Sequence, residues 1–269
     1  MKTTVALVQM DIALGEPEIN RRRGETLIRE AVRGGAKVVV LPEMWTTAYS
    51  MADIHQLADS DGEPTGQMLA QLARELSIYI VGGSIADILG GKVFNRSRVF
   101  DPEGQVIADY SKIHLFRLME EDLYLAAGNK PSSFRLGDIT AGQMICYDLR
   151  FPELARTLAL SGAEVLFVPA EWPLPRLSHW RALNIARAIE NQCYVVACNR
   201  VGTKHDPAGD THFFGHSLIV DPWGEVLVEG DDKESILFGE LDSSLVSEVR
   251  GRIPVFRDRK PDVYNLTRK

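Results

Sequence analysis

The chain has 269 residues, of which 45% are hydrophobic and 25% are charged, and its formal net charge is −7. This size and composition are typical of a globular protein with one large domain or two small ones. The negative charge argues against a phosphate-binding surface, so we expect no nucleic-acid partner. No apolar run approaches the roughly 18 residues that span a bilayer, so we expect no membrane association.

The cysteine count and the first residues of the sequence bear on the cellular compartment. Three cysteines (Cys146, Cys193 and Cys198) do not make a disulfide framework in a chain of this length. The first residues pass directly into a strand pattern and lack the architecture of a signal peptide. We therefore expect a cytoplasmic protein.

In the first half of the chain, short β-rich runs alternate with stretches that carry apolar residues at helical spacing. The predicted elements are a strand over Thr3–Gln9, a helix over Pro17–Arg33, a strand over Lys37–Leu41, a helix over Pro64–Leu76 and a strand over Ile78–Val81. Two further strands, Val93–Phe100 and Val106–Tyr110, flank an Asp-Pro-Glu-Gly segment at 101–104 that has the residues of a tight turn. This pair predicts a hairpin.

In the second half the alternation resumes after a strand over Ala141–Ile145. The later elements are a helix over Pro152–Leu160, a strand over Val165–Val168, a helix over Ser178–Glu190, a strand over Tyr194–Ala197, a hairpin of Ser217–Val220 and Val226–Val228, a strand over Ile236–Leu241 and a polar tail from about residue 243. A second Asp-Pro-x-Gly turn, at 221–224, indicates two similar halves.

This order of elements predicts an α/β fold. No Gly/Ser linker or low-complexity stretch divides the sequence, so we expect a single domain over residues 1–269. Mixed strands with helices on the outside predict two sheets that pack on each other, each covered by a layer of helices.

Cys146 is the most informative single residue. It ends a predicted strand and opens the segment Cys-Tyr-Asp-Leu-Arg-Phe-Pro-Glu at 146–153, which is predicted to start a helix. A thiolate at such a turn lies near backbone N–H groups and the positive end of a helix dipole, which lowers the pKa of a thiol. On position alone, a catalytic nucleophile and a buried structural cysteine are equally well supported.

Several other predicted strands also end in a polar or reactive residue. Lys37–Leu41 leads to Glu43, Val165–Val168 leads to Glu171 and Trp172, and Tyr194–Ala197 leads to Asn199. In open α/β sheets, ligands collect outside the carboxyl ends of the strands. We therefore expect Glu43 to share a crevice with the cysteine nucleophile.

A cysteine nucleophile needs a base and its oxyanion needs donors. None of the six histidines follows a strand in a triad context, whereas Glu43 and Lys112 each lie at the end of a strand-like segment. From the residues alone, a helix cap or a surface carboxylate remains the alternative for Glu43, and a solvated cation remains the alternative for Lys112.

Three motifs taken together resemble the carbon–nitrogen hydrolase (nitrilase) superfamily. They are Leu-Pro-Glu at 41–43, Lys-Ile-His-Leu-Phe at 112–116 and Cys-Tyr-Asp-Leu-Arg-Phe-Pro-Glu at 146–153, and the resemblance extends from Val5 to about Asp242. The resemblance implies a four-layer αββα sandwich and a catalytic triad of Glu43, Lys112 and Cys146. It also implies at least a homodimer.

The family pattern includes a second glutamate shortly after the lysine. Glu121 fits it through Glu-x-x-Tyr-x-x-x-Gly at 121–128, and Glu120 is one place out of register. We prefer Glu121, while two solvated charges at a helix start remain the alternative. In the implied mechanism Glu43 is the base, and Lys112 with the backbone N–H of Tyr147 stabilises the oxyanion. No metal and no organic cofactor is required.

The remaining motif-like residues have mainly structural interpretations. We expect Asp148, Arg150 and Glu153 to hold the turn after the nucleophile through an arginine–carboxylate pair, and the stretch 180–192 to serve packing and subunit contact. The loop 204–216 carries His205, His212 and His216. The last two are four residues apart, but the region has no clear helix, so a metal site here is a weak alternative. Cys193 and Cys198 would face opposite sides of a strand as core residues.

The motifs narrow the substrate further. His-Leu-Phe at 114–116, Ala-Glu-Trp-Pro-Leu-Pro-Arg at 170–176 and Gly-His-Ser-Leu-Ile-Val-Asp-Pro-Trp-Gly at 215–224 resemble bacterial omega-amidases, which implies small 2-oxo dicarboxylic monoamides as substrates. Such substrates need a cation for the distal carboxylate. The candidates are Arg176 and Arg117, with Trp172, Phe116 and Tyr49 as pocket walls. An aliphatic amidase, an N-carbamoyl amide hydrolase and a non-catalytic scaffold of the same fold are the alternatives.

Overall fold

A computed structural model describes residues 2–205 and 209–264. The strands are β1 (Lys2–Gln9), β2 (Val38–Val40), β3 (Asp59–Ser60), β4 (Tyr79–Val81), β5 (Ile85–Leu89), β6 (Lys92–Phe100), β7 (Val106–Ser111), β8 (Ser132–Leu136), β9 (Ile139–Gln143), β10 (Val165–Ala170), β11 (Tyr194–Asn199), β12 (Val201–Lys204), β13 (Thr211–Phe214), β14 (Leu218–Val220), β15 (Val226–Glu229) and β16 (Ser235–Asp242). The α-helices are α1 (Pro17–Arg33), α2 (Ile54–Leu57), α3 (Thr65–Leu76), α4 (Glu121–Tyr124), α5 (Pro152–Leu160), α6 (Leu177–Asn191), α7 (Ser243–Arg252) and α8 (Val255–Asp258). Single 3₁₀ turns cover Met51–Asp53, Arg117–Met119, Cys146–Arg150 and Pro261–Val263.

The strands form two large mixed sheets and one small hairpin. The first sheet has the order β16-β1-β2-β4-β6-β5-β3, with β7 paired to β6, and the second has the order β15-β14-β11-β10-β9-β8. The centre of each sheet is parallel: β1, β2 and β4 in the first, and β9, β10 and β11 in the second. Strands β12 and β13 pair separately. The chain thus presents two sets of carboxyl-terminal strand ends.

The two sheets pack face to face, and each carries helices on its other face. Because side chains alternate along a strand, Val5 and Leu7 of β1 join a core with Phe167 and Val196 of the second sheet. The side chains of β1 that point the other way pack under α1 and α3. The outer face of the second sheet packs under α5 and α6. This is the predicted αββα sandwich, and the expectation is confirmed.

The two predicted hairpins are confirmed as β6–β7 and β14–β15, one in each large sheet. In both turns the aspartate Oδ1 accepts backbone N–H groups two and four residues later, as Asp101 does from Glu103 and Gln105 at 3.0 and 2.8 Å. The turn glycines have φ values of +76° and +90°, which a glycine adopts without strain.

The predicted polar tail from residue 243 is wrong, because α7 begins there. Asp242 caps this helix by accepting the backbone N–H of Ser244 at 3.0 Å, and Val246 and Val249 are buried one turn apart. The polar residues of this segment form the exposed side of an amphipathic helix. Among the described residues, no helix is long and apolar enough to cross a membrane.

Candidate active site

Side chains from both sheets meet where parallel strands end. Glu43 lies three residues beyond β2 of the first sheet, and Lys112 directly follows β7. Cys146 lies three residues beyond β9 of the second sheet, and Glu171 directly follows β10. The structure therefore brings the expected crevice together from two facing sheets rather than from one sheet edge.

The ammonium group of Lys112 joins two carboxylates in a fully buried cluster. Lys112 Nζ lies 2.8 Å from Glu43 Oε1 and 2.5 Å from Glu121 Oε1, and all three side chains have no exposed surface. The neighbouring Glu120 is exposed, so the structure places Glu121, and not Glu120, beside the lysine. The backbone of Gly128 fixes this strand end by donating to the Lys112 carbonyl at 2.8 Å.

Neutral donors complete the coordination of the two carboxylates. Glu43 Oε1 accepts from Tyr49 Oη and Asn95 Nδ2, both at 2.8 Å, and its Oε2 accepts the backbone N–H of Glu171 at 2.8 Å. Tyr49 Oη also hydrogen-bonds to Glu121 Oε1. The other carboxylate oxygen of Glu121, Oε2, accepts the backbone N–H of Phe116 at 2.7 Å. Tyr49 is thus a hydrogen-bonding member of the cluster, where the sequence predicted only a pocket wall.

Cys146 sits at the strained position of a sharp turn, with a φ of +45°. Asp148 holds this turn: its Oδ2 accepts the Ile145 N–H at 2.9 Å and the Tyr110 hydroxyl at 2.6 Å, and its Oδ1 accepts the His114 N–H at 3.0 Å. The carboxylate role of Asp148 was predicted.

The predicted arginine–carboxylate pair in this turn is wrong. Both oxygens of Asp148 already accept hydrogen bonds, from the Tyr110 hydroxyl and from the backbone N–H groups of His114 and Ile145. No guanidinium is therefore required to satisfy this carboxylate. Arg150 instead stacks over the ring of Trp172 at 4.8 Å, and Arg187 donates to the Leu149 carbonyl at 3.0 Å.

The expected depression of the thiol pKa by a helix dipole is also wrong. The segment after the nucleophile is a single 3₁₀ turn, Cys146–Arg150, and α5 begins only at Pro152. Burial raises the pKa of the Cys146 thiol well above its ordinary value, and the charge of Glu43 acts in the same direction. The sulfur therefore rests as a protonated thiol.

Burial and mutual charge also shift the pKa values of other members of the cluster. Burial opposes the charge of Lys112, but Glu121 and Glu43 together raise its pKa well above the ordinary value. Burial, and then the same two carboxylates, raise the pKa of Tyr49, so its hydroxyl stays a neutral donor. Burial also raises the pKa of Glu121, against the effect of Lys112. The site holds a permanent cation between two carboxyl groups.

A narrow cavity opens next to the cysteine. Its lining includes Cys146, Tyr147, Phe116, Trp172, Arg176, Arg150, Met119, Pro173 and Glu171. The Arg176 guanidinium lies 5.7 Å from the centre of the Phe116 ring, and Tyr49 lines a second cavity that shares Phe116 and Arg176 with the first. Arg117, the other candidate cation, contributes to neither lining. Its side chain is 86% exposed, faces Asp122 at 3.7 Å and lines a neighbouring pocket with Phe116 and Tyr147.

The histidines of the weak metal alternative have separate partners. His205 Nδ1 faces Asp210 at 3.1 Å, His212 Nδ1 faces Thr203 at 2.9 Å and His216 Nδ1 faces Glu229 at 3.0 Å. Within residues 2–205 and 209–264, no group of three or more His, Cys, Asp or Glu side chains is placed to hold a metal ion. Cys193 and Cys198 belong to different cores, on opposite faces of the second sheet, as predicted.

Comparison with known proteins identifies the family. The sequence model of the carbon–nitrogen hydrolases matches residues 4–251. The chain belongs to the carbon–nitrogen hydrolase family. It is therefore a hydrolase of carbon–nitrogen bonds other than peptide bonds, and the resemblance found in the motifs is confirmed.

Individual relatives extend over nearly the whole chain. The chain is 47% identical to a 2-oxoglutaramate amidase of Bacillus subtilis over 98% of its own length and 100% of the relative. It is 36% identical to the human omega-amidase NIT2, covering 98% of each chain. The crystal structure of XC1258 from Xanthomonas campestris, a CN-hydrolase superfamily protein with an arsenic adduct in its active site, superposes with a TM-score of 0.90 at 30% identity, covering 99% and 100% of the two chains.

Sequence reasoning missed several residues of the site. Asn95 lies within β6, where the strand pattern gives no sign that its amide reaches a carboxylate 52 residues away in sequence. Arg150 was interpreted as structural but lines the cavity. Glu171 was noticed as a strand end, and that position was its only signal.

Proposed function

We propose that this enzyme is a thiol amidase that hydrolyses the terminal amide of small 2-oxo dicarboxylic monoamides, such as 2-oxoglutaramate, to acid and ammonia. The observation that carries the proposal is the buried cluster in which Lys112 joins Glu43 and Glu121, whose charges act on the buried thiol of Cys146. The name of the Bacillus relative supports the choice of substrate.

In the proposed acylation, Glu43 takes the thiol proton as the sulfur attacks the amide carbon. The C=O bond electrons move to oxygen, and Lys112 with the backbone N–H of Tyr147 stabilises the resulting oxyanion. The oxyanion then collapses, the C–N bond breaks, and Glu43 returns the proton to the departing ammonia. The acyl group remains on Cys146 as a thioester.

Deacylation uses the same carboxylate a second time. Glu43 removes a proton from water, whose oxygen attacks the thioester carbon, and the second oxyanion has the same donors. Its collapse breaks the C–S bond, and the proton on Glu43 returns to Cys146. Glu121 positions the substrate and keeps Lys112 charged through its 2.5 Å contact. These steps require no cofactor.

Two guanidinium groups are available for the distal carboxylate of the substrate. Arg176 and Arg150 both line the cavity that contains Cys146, where they stack over Phe116 and Trp172. Arginine binds carboxylates through paired hydrogen bonds. The aromatic walls leave little room around the carbon chain that joins the amide of the substrate to its distal carboxylate. We propose Arg176 as the carboxylate ligand, as the sequence predicted, with Arg150 as a second one.

The direct test is ammonia release from a panel of compounds. It compares 2-oxoglutaramate, succinamate, a simple aliphatic amide, an N-carbamoyl amino acid and a simple nitrile, with Cys146→Ala as the inactive control. We expect the two monoamides to be the best substrates, and Arg176→Gln to raise KM for them far more than Arg117→Gln does. A preference for the carbamoyl compound would instead identify an N-carbamoyl amide hydrolase, and a better simple amide an aliphatic amidase.

The scaffold alternative has a separate test. Iodoacetamide should alkylate Cys146 faster than Cys193 or Cys198, because Cys146 is 6% exposed and the other two are fully buried. Equal rates for the three thiols, with no protection by a small amide, would favour a non-catalytic protein.

We also propose a single-domain enzyme that acts in the cytoplasm as a homodimer. The family match over residues 4–251 supports one domain, and the three free thiols suit a reducing compartment. The stretch 180–192 on α6 is the proposed subunit contact, since Ile189 is half exposed there. Size-exclusion chromatography with light scattering tests the dimer, and an Ile189→Glu variant tests its surface.

A further inference from the structure

A buried ion pair lies beside the active site and has no place in the proposed chemistry. Arg200 Nη1 donates to Glu171 Oε1 at 2.5 Å, and the two side chains are 1% and 0% exposed. Glu171 directly follows β10, and Arg200 lies between β11 and β12. Both residues therefore lie at the carboxyl-terminal strand ends of the second sheet, the sheet that carries Cys146.

The arginine of this pair also contacts the first sheet. Its Nη2 donates to Asp11 Oδ1 at 3.0 Å and to the Ile12 carbonyl at 2.9 Å, just beyond the end of β1. Its guanidinium lies over the ring of Phe213 at 4.5 Å. Arg200, whose own side chain is buried, thus connects the strand ends of the two facing sheets by directional bonds.

The glutamate of the pair contacts the first sheet at the candidate base. The Glu171 N–H donates to Glu43 Oε2 at 2.8 Å, and the Glu43 N–H donates to the Ala170 carbonyl at 3.5 Å. Glu43 comes from the first sheet and Cys146 from the second, so the approach of base to sulfur depends on how the sheets are joined. The peptide group between residues 170 and 171 connects the two sheets at this point through its hydrogen bonds with Glu43.

We propose that the Glu171–Arg200 ion pair is a positioning device for the amidase reaction, which holds the Glu171 peptide so that Glu43 faces the Cys146 sulfur. The inference rests on the proposed function, since it assigns Glu43 the role of base. Glu171 acts through Glu43, and it exchanges no proton with the substrate. Its Oε2 is buried without a hydrogen-bond partner among the described residues, so the bond from Arg200 to Oε1 is what restrains this carboxylate.

The charge of Glu171 makes the device dependent on pH. Burial raises the pKa of Glu171 to about 7, against the opposing effect of Arg200. The ion pair is therefore complete above about pH 7 and weakens below it as Glu171 takes up a proton. The ionisable side chains that face Glu171 are Arg200, Glu43, Lys204, Tyr49 and, across the guanidinium, Asp11.

The test compares Glu171→Gln with wild type over a range of pH. The glutamine side chain keeps the size of the glutamate and resembles its protonated state at every pH. We expect kcat for the best amide to fall at least about tenfold above pH 7, with little change in KM, because small displacements of a base cost this much. Below pH 7 the ratio of wild-type to variant kcat should approach one.

The matched control is Asp87→Asn, which breaks another buried arginine–carboxylate pair, in the first sheet. In that pair Asp87 Oδ2 lies 2.5 Å from Arg96 Nη1. It should lower stability, yet its kcat ratio to wild type should stay constant with pH. A Glu171→Gln variant with wild-type kcat, or with a pH-independent ratio like that of the control, would overturn the inference.

A second measurement separates this inference from the proposed function. The rate of Cys146 alkylation by iodoacetamide as a function of pH needs no substrate. If wild type hydrolyses no compound of the amide panel, the proposed function fails. The positioning role is then judged by alkylation alone: Glu171→Gln should change the pH profile of Cys146 and Asp87→Asn should not, and identical profiles would refute it.

Discussion

Replacing Glu171 by glutamine should make folding stability less dependent on pH. Burial raises the pKa of Glu171 from its ordinary value of 4.5 to about 7 in the folded protein. Between these values the folded protein holds a proton that the unfolded chain has released, so stability falls as pH rises. Since one pH unit corresponds to about 1.4 kcal/mol, wild type should lose about 3 kcal/mol through this group from below pH 4.5 to above pH 7.

The variant lacks this dependence because glutamine does not ionise. Relative to wild type, Glu171→Gln should therefore gain about 3 kcal/mol of unfolding free energy over the same range. The difference at any single pH also contains the lost charge-assisted bond to Arg200 and a newly buried amide N–H, each of a few kcal/mol. Only the change with pH isolates the ionisation of Glu171.

Urea denaturation followed by circular dichroism, in buffers from about pH 4 to about pH 8, measures the required free energies. The unfolding free energy of the variant relative to that of wild type should rise as pH rises. Parallel curves would mean that folding does not raise the pKa of Glu171, and the burial argument would be refuted. A confirmed result would identify an ion pair that lowers stability at neutral pH, which is expected of a device kept for activity.

Other variants test separate parts of the structure. Gly83→Ala should lower stability by more than about 2 kcal/mol, because a Cβ there would lie 2.1 Å from a backbone carbonyl oxygen of the segment that leads into the active site. Gly90 also has a positive φ but lies in open space, so Gly90→Ala should lower stability by about 1 kcal/mol. Urea denaturation compares the two variants. Lys112→Met should abolish turnover and lower stability by about 3–5 kcal/mol, since it leaves two buried carboxylates side by side, and thermal denaturation checks the loss. Tyr110→Phe should lower the unfolding free energy by about 1.5–3 kcal/mol, because Asp148 loses a 2.6 Å hydrogen bond. Urea denaturation measures this loss. A smaller loss of free energy would mean that the other donors to Asp148 hold the turn.

The regular elements could be predicted where local chemistry sets their limits. Helices α1 and α5 have the predicted bounds, because each begins at a proline, whose fixed φ suits the first helical turn. Strands β5 and β8 were not predicted, since only their pairing in a sheet distinguishes them from loops. Helix α7 was missed because only two of its residues are buried.

The site was predictable only in part, for a similar reason. The ends of parallel strands lie at one edge of a sheet, so Glu43 and Cys146 could be expected near a crevice from the order of elements alone. The residues that orient them come from elsewhere: Asn95 from the interior of a strand and Arg200 from a connection between strands. Contacts across sheets have no periodicity in sequence, and only the packed structure reveals them.

The protonation state of the resting site explains why positioning matters in this enzyme. Burial keeps a proton on the Cys146 sulfur, whereas a helix dipole or an imidazolium would have favoured a standing thiolate. The nucleophile forms only when Glu43 accepts that proton, so the rate depends on the direction of one carboxylate. Lys112 cannot supply the missing basicity, because two carboxyl groups keep it charged. Changes that displace Glu43 should therefore lower kcat even where the cysteine, the lysine and the substrate cavity are intact.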